Sequence, residues 1–274
     1  MGARQKSRTV LLTGASGGLG NAIARLLAER GDRLLLQGRN VDRLEQLRRS
    51  LTDPERHRVL AADLLDSGGR RQLMQMCREE AGLDVLINNA GISRFALLGD
   101  LADRELADIL HTNLLVPMTL TRDLLPLLEQ SPEGAVINIG SAFGHIGHPG
   151  FTAYSASKAG LFAFTEALRR ECADSGVRVH YLAPRAVDTE LNTPAVRALN
   201  RALRNKSDTP AVVARQCADL LHRPSGQRRF IGWPERLFIK INALFPSLVD
   251  SALSKKLPVI RRYAKQGDLS GEVL

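Results

Sequence analysis

Short apolar runs alternate with stretches of helical period along most of the chain. Thr9-Val10-Leu11-Leu12 stops at a glycine-rich segment, and beyond it Ile23, Leu26 and Leu27 recur on one side of a helix that carries Arg25, Glu29 and Arg30 on the other. Gly31 is placed to end that helix. The alternation then repeats: a strand at 34–36, a helix at 41–51, a strand at 57–61, a helix at 69–81 and a strand at 83–87. This last run is continuously apolar, as strands buried on both sheet faces are. A helical stretch starts at Asp103, a fifth strand spans Ala135–Ile139, a helix covers about 152–175, and a sixth strand covers 177–182. Thr209-Pro210 opens another helix, with proline at its first position, and 229–232 reads as a last strand. The pattern predicts an α/β protein with a Rossmann-like, doubly wound parallel sheet in three αβα layers.

Two segments stand apart from this alternation. Residues 190–209 are basic and amphipathic, with Val196, Leu199 and Leu203 on one face. In the tail, Leu237, Phe238, Ile241, Leu244, Phe245 and Leu248 recur at helical spacing. Lys240, Asn242, Pro246 and Asp250 interrupt them, so the tail is not a membrane span. Residues 1–232 are therefore expected to form the catalytic domain and 233–274 an added amphipathic helical extension. Three readings of the extension compete: packing on its own domain or a partner subunit, covering an apolar substrate channel, or lying in a membrane interface.

Composition narrows the class. The 274 residues, 44% hydrophobic and 24% charged, suit a globular protein with a sizeable core. Cys77, Cys172 and Cys217 lack paired or metal-ligand spacing, which points to free thiols in a reducing compartment and no metal site. The apolar run after the basic N-terminus is too short for a signal peptide, and Lys6 stands where an acylation pattern needs Ser or Thr. These readings predict a cytoplasmic protein, with peripheral membrane contact left open by the tail. The net charge is +9, and 228–265 holds nine Lys/Arg against Glu235 and Asp250. Aromatics for base stacking are scarce and no nucleic-acid motif appears. The charge points instead to an anionic substrate, an acidic carrier protein or a membrane surface.

The candidate chemistry lies where strands end. Thr13-Gly14-Ala15-Ser16-Gly17-Gly18-Leu19-Gly20, between a strand and a helix, makes a dinucleotide site. Glycines let the backbone approach a pyrophosphate, and the helix N-terminus offers its free N–H groups. After the second strand comes Gln37-Gly38-Arg39-Asn40, with no acidic residue to hold a ribose 2′-hydroxyl. Arg39 is placed to bind a 2′-phosphate, which favours NADP(H) over NAD(H). Tyr154 and Lys158, four residues apart, share a helix face. A neighbouring ammonium lowers a phenol's pKa and makes it a usable general acid/base. Ser141, at the end of the fifth strand, supplies a hydroxyl for a carbonyl oxygen. Asn113 lies in a helix, where a buried amide is costly unless it is used. His145 and His148 read as pocket wall or surface, since they lack carboxylate partners for a metal.

Together these residues resemble the short-chain dehydrogenase/reductases, in the branch whose cofactor loop reads T-G-x-x-x-G-x-G. Thr13-Gly14, Gly18, Gly20, Asp63, Asn88-Asn89-Ala90-Gly91, Asn113, Ser141, Tyr154 and Lys158 match that family in order and spacing over residues 9–189. The resemblance implies that Tyr154 is the general acid/base and that Lys158 tunes it and holds the nicotinamide ribose. It implies that Ser141 holds the substrate oxygen and that Asn113 supports a proton relay through its helix backbone. Gly14, Ser16, Gly18, Leu19 and Gly20 would line the phosphates and ribose. Asp63 and Leu64 would meet the adenine, Asn88 and Ala90 the adenosine ribose side, and Val187 and Thr189 the carboxamide and pyrophosphate. Residues 190–209 take the place of the family's substrate lid.

The expected function is NADP(H)-dependent reduction of a carbonyl, or oxidation of a secondary alcohol. The expected substrate is hydrophobic, lipid-like or an acyl thioester, and the protein a homodimer or homotetramer. The alternative is a non-catalytic NADP(H)-binding protein that docks a membrane or partner through its basic tail. One departure stands out: Arg185 follows Pro184 where the family has glycine. It either narrows the pocket, meets an anionic substrate group, or points into solvent, and the last is the reading taken.

Overall fold

The computed structural model describes residues 7–80 and 82–268. The N-terminal residues through Lys6, Ala81 at the end of the expected third helix, and the end of the tail lie outside them. The order is β1 (Thr9–Leu12), α1 (Gly18–Glu29), β2 (Arg33–Gly38), α2 (Val41–Arg49), β3 (Arg58–Ala61), α3 (Ser67–Glu79) and β4 (Val85–Asn88). It continues with α4 (Asp103–Leu110), α5 (Val116–Glu129), β5 (Ala135–Ile139), α6 (Thr152–Glu171) and β6 (Arg178–Ala183). The last elements are α7 (Pro194–Ala202), α8 (Pro210–Leu220), β7 (Arg228–Phe230), α9 (Glu235–Leu244) and α10 (Pro246–Asp268).

The strands form one parallel sheet in the order β3-β2-β1-β4-β5-β6-β7. Register follows from side-chain alternation. Val10, Leu12, Leu34, Leu36, Val85 and Ile87 face a core made with α1, α2 and α8. Their neighbours Leu11, Leu35 and Leu86 face a second core made with α3, α5 and α6. Each fully buried leucine of this kind is worth about 1.5–3 kcal/mol. A one-residue slip would exchange the two sets wholesale, so the register is strongly specified. The chain winds outward from β1 to β3 and returns to β4, so β1 and β4 are adjacent and open a crevice at their C-terminal ends.

Boundaries differ from the expected ones for local reasons. α6 stops at Glu171 rather than near Ser175, ahead of Gly176 in the left-handed region. The helical extension is two helices, divided at Pro246, one of the residues that interrupt its apolar run. Pro246 starts α10, and the residue before it, Phe245, leaves helical geometry at φ −137° and ψ 64°. Between α4 and α5, His111–Leu115 forms a π-helical turn in which Val116 N–H donates to the His111 carbonyl. The period of apolar positions carries no sign of that turn.

A third apolar cluster lies beyond the sheet, where Phe95, Phe151, Val196 and Leu199 pack with Ile260 and Ala264. It joins the loop after β4, the start of α6, α7 and α10. Leu253, Leu257, Ile260 and Ala264 recur at helical spacing on the inward side of α10. The residues before α7 and the tail are thereby brought to the C-terminal side of the sheet.

Candidate active site

The ends of β1, β2, β4, β5 and β6 open into a cavity of about 1000 Å³. Its floor is the loop between β1 and α1. Gly14 has φ +63°, and a Cβ there would stand 2.8 Å from Ala90 Cα. At Gly20 a Cβ would stand 2.2 Å from the Gly14 carbonyl oxygen. Those two positions are therefore closed to side chains, and the first residues of α1, Gly18, Leu19 and Gly20, line the cavity. Thr13 Oγ1 accepts hydrogen bonds from the N–H groups of Asn89 and Ala90, both at 3.0 Å. Asn89 Nδ2 donates back to the Thr13 carbonyl at 2.9 Å. These bonds lock the β1 loop to the β4 end.

Gln37 was not anticipated as a support for this floor. Its Oε1 accepts from Gly14 N–H at 3.2 Å, and its Nε2 donates to the Ala62 carbonyl at 2.8 Å. A glutamine ending an apolar strand carries no sequence signal beyond its polarity. Arg39 is exposed and lines the cavity, and Arg43 lines it one turn later. Arg43 also pairs with Glu190 at 3.4 Å. Its spacing of four from Arg39 was the available signal for a second cation at this end.

Ser16, Gly18, Leu19, Asp63, Leu64, Ala90, Val187 and Thr189 line the same cavity. Asn88, expected on the adenosine ribose side, does not line it. Its amide is buried and donates to Asn138 Oδ1 at 2.8 Å and Thr121 Oγ1 at 3.2 Å. Asn138 in turn donates to Thr165 Oγ1 at 2.8 Å. This is a satisfied polar chain beneath the site, and a buried amide with fewer partners would cost about 1–3 kcal/mol.

Asn113 is also fully buried away from the cavity, within the π-helical turn. Its Oδ1 accepts from Ile92 N–H at 2.9 Å, and its Nδ2 donates to the Ile92 carbonyl at 2.8 Å and to Ser157 Oγ at 3.0 Å. Ser157 then donates to the Tyr154 carbonyl at 2.7 Å. The asparagine fastens the loop after β4 to the first turn of α6, which carries the tyrosine.

Ser141, Tyr154 and Lys158 converge on one wall. Ser141 caps a short turn by accepting from Phe143 N–H at 3.2 Å. Burial pushes the Tyr154 phenol above its ordinary 10, opposed by a hydrogen bond with Ser141. Lys158 is buried, with Nζ 5.8 Å from the Tyr154 ring centroid and donating to the Ile139 carbonyl at 2.9 Å. Burial lowers it to about 8, so it is still mostly an ammonium at neutral pH. One of its three donors is used on Ile139, which leaves others for the cavity. The expected lowering of the phenol by the ammonium is thus not what dominates here: desolvation favours the neutral form of both groups, keeping the phenol protonated and drawing the lysine down towards the free amine.

Lys158 has a consequence for stability. Its folded value lies below its ordinary 10.5, so between about 8 and 10.5 the unfolded chain holds a proton that the folded chain has released. Stability from this group therefore rises with pH across that window, and below it the full cost of burying the charge is carried. That cost is roughly 3 kcal/mol, offset in part by about 1–2 kcal/mol from the Ile139 hydrogen bond. Lys158→Met is expected to raise the melting temperature of the cofactor-free protein at pH 7 by a few degrees. The gain should shrink at pH 10, and calorimetry at both values checks it. A lower melting temperature at pH 7 would show that the lysine stabilises the fold.

The far wall of the cavity is apolar, with Phe143, Phe151, Val196 and Leu199 meeting Phe238 and Leu253 of the tail. His148 lines it, while His145 does not. His145 sits in an aromatic cluster with Phe162 and Phe230, at 4.3 and 4.7 Å between centroids. Burial lowers it to about 4.

Arg185 does not point into solvent, which corrects the reading taken from the sequence. Its Nη2 pairs with Asp208 at 2.7 Å, and its Nη1 with Glu235 at 3.4 Å and the Trp233 carbonyl at 3.3 Å. Asp208 is itself bridged to Val187. Arg185 thus ties the segment after β6, the residues after α7 and the start of α9 at one point. No sequence pattern announced its partners, which lie 23 and 50 residues away.

Residues 8–200 match the family profile described as short chain dehydrogenase. The chain is 34% identical over 225 residues to carbonyl reductase family member 4 of Danio rerio, covering 80% of this chain and 92% of that one. It is 34% identical over 196 residues to the 3-oxoacyl-[acyl-carrier-protein] reductase FabG of Vibrio cholerae, covering 71% and 78%. A short-chain dehydrogenase from Sphingobium yanoikuyae, solved in complex with NADPH, superposes with a TM-score of 0.76 at 26% identity, over 89% of this chain and 95% of that one. With a profile matching most of its length and a Rossmann-like sheet ending in this cavity, the chain belongs to the short-chain dehydrogenase/reductase family of oxidoreductases.

Proposed function

We propose that the protein is an NADPH-dependent reductase of a hydrophobic carbonyl compound, with Tyr154 as general acid. The observation that carries this reading is the convergence of Ser141, Tyr154 and Lys158 on a cavity whose other end is the glycine loop and Arg39. The loop fits a dinucleotide, since its glycines leave a cradle that a Cβ would fill. NADPH would supply the hydride when bound. Gly14, Ser16, Gly18, Leu19 and Gly20 would hold its phosphates and ribose, with Asp63, Leu64 and Ala90 on the adenosine side and Val187 and Thr189 on the nicotinamide side. Arg39, with Arg43 beside it, would take the 2′-phosphate through charge-assisted bonds.

Ser141 orients the substrate oxygen, and Tyr154 gives that oxygen its phenolic proton as the carbonyl carbon is reduced. Lys158, mostly an ammonium at neutral pH, stabilises the phenolate left behind and would hold the nicotinamide ribose of a bound cofactor. Asn113 positions Tyr154 through Ser157 and keeps the loop after β4 in place. Of the relatives, the 3-oxoacyl-[acyl-carrier-protein] reductase supports a 3-oxoacyl thioester as one substrate class, and the apolar far wall supports any ketone with a long hydrocarbon chain. Residues 190–209, including α7, act as the lid, and the extension from 233 lines the apolar end. A homo-oligomer in the cytoplasm completes the reading, and its buried free thiols suit that compartment.

The test is a series of ketones and 3-oxoacyl thioesters graded by chain length, followed by NADPH absorbance. Turnover per KM should rise about three- to fourfold for each methylene that the apolar wall covers. A flat or falling series would remove the hydrophobic substrate class.

A further inference from the structure

The outer face of the two tail helices gathers many of the exposed large apolar side chains. Trp233, Leu244, Phe245 and Leu248 are 68, 72, 58 and 61% exposed, and Leu237 and Phe238 beside them are also exposed. Leu237 and Leu244 are two turns apart on α9, Phe238 lies beside Leu237, and Phe245 follows directly at the break before α10, so they form one apolar edge. On α10, Leu248, Ala252, Lys255, Val259 and Arg262 recur at i, i+4, i+7, i+11 and i+14 and are all exposed. The opposite side of α10, with Ile260 and Ala264, is the one packed into the third cluster. The helix is thus satisfied on one face and carries outward a mixed face, where Leu248, Ala252 and Val259 alternate with Lys255 and Arg262.

Charge identifies the occupant. Between 233 and 265 the exposed cations are Arg236, Lys240, Lys255, Lys256, Arg261, Arg262 and Lys265. Against them stand Asp250 and Glu235, and Glu235 is paired with Arg185. A second copy of the same face would bring the same excess of positive charge against it, which opposes self-association. An apolar edge flanked by lysine and arginine is complementary to a surface with acyl chains beneath anionic headgroups.

Position adds a third argument. Phe238 and Leu248 belong both to the exposed edge and to the cavity lining, and Ile241, Val249 and Leu253 continue inward from them. The apolar edge and the apolar wall of the cavity are therefore one continuous surface.

We propose that α9 and α10 seat the protein on an anionic lipid bilayer, so that the apolar end of the catalytic cavity opens onto the membrane. Tryptophan and phenylalanine enter the acyl boundary while lysine and arginine meet the headgroups. The docking rests on the tail alone. The delivery of a hydrophobic carbonyl compound from the membrane into the cavity rests also on the reductase reading.

Flotation of the full chain with phosphatidylcholine vesicles, with and without phosphatidylglycerol, tests the docking with no reference to turnover. The protein should float with the phosphatidylglycerol vesicles and be released as salt is raised. L244E/F245E and K240E/K255E should each weaken binding about tenfold or more. None of these four side chains lines the cavity, so both variants should reduce a short soluble ketone as the parent does. Three results would overturn the proposal: no flotation, equal flotation with both vesicle types, or undiminished flotation of L244E/F245E. It would also fall if light scattering showed a dimer that L244E/F245E converts to monomer, because a second copy would then cover the face. If flotation behaves as expected while no carbonyl compound is reduced, the docking stands and the reductase reading falls.

Discussion

Tyr154→Phe is expected to lower the rate of carbonyl reduction by about a thousandfold or more while leaving the NADPH dissociation constant within about twofold of the parent value. The reasoning starts from one atom. The substitution removes the phenolic oxygen and keeps the ring, whose neighbour Phe151 lies 6.5 Å away between centroids. The wall of the cavity therefore keeps its shape, and the Asn113–Ser157 chain still holds the first turn of α6 through the Tyr154 backbone carbonyl. What is lost is the proton that must reach the substrate oxygen as negative charge develops there. Ser141 can orient that oxygen, but a serine hydroxyl is too weak an acid to replace the phenol. Stopped-flow absorbance of NADPH measures turnover, and fluorescence titration measures binding. Turnover at the parent rate would take Tyr154 out of the proton path. Loss of binding and turnover together would instead assign it a structural role in the cofactor site.

The second large effect is expected at the opposite end of the cavity. Arg39→Asp should weaken NADPH by about a hundredfold, since a charge-assisted bond worth about 1.5–3 kcal/mol is exchanged for repulsion of a phosphate. NADH carries no 2′-phosphate, so its affinity should change little, or improve if the new carboxylate accepts from the ribose hydroxyls. Arg39 is exposed, so the fold should tolerate the change. Arg43 remains and will moderate the loss, and Arg39→Asp combined with Arg43→Ala should exceed the single substitution. Isothermal titration with both cofactors decides the matter. Equal losses for NADPH and NADH would remove Arg39 from the phosphate site.

The sheet, its parallel sense and the glycine loop at its first strand end were legible in the sequence because they depend on local rules. Apolar runs of strand length buried on both faces, a glycine loop ahead of a helix, and tyrosine one turn before lysine are each read within a few residues. The resemblance then placed Ser141, Tyr154 and Lys158 together, and they line one cavity. Asn88 shows where that reasoning stops. The resemblance implied a place beside the adenosine ribose, whereas strand pairing sets Asn88 opposite Asn138, to whose Oδ1 its buried amide donates. Asn113 was expected to matter, and the π-helical turn that aims it at Ile92 leaves no mark on the hydrophobic period.

The sequence by itself determined the αβα architecture and the chemistry available at the strand ends. Periodicity, glycine placement and side-chain type act over one element at a time, and all pointed the same way. Only the tertiary structure decided the rest, because it depended on partners far apart in the chain. Arg185 found Asp208 and Glu235 and became a tie, where a solvent-facing residue had been expected. Burial rather than the lysine's charge set the direction in which the Tyr154 phenol moved, and desolvation is a property of the packed surroundings. Pro246 was visible as a break in the tail. Which face of the following helix would be covered was settled only when Ile260 and Ala264 met Val196 and Leu199, leaving Leu248 and Val259 outside.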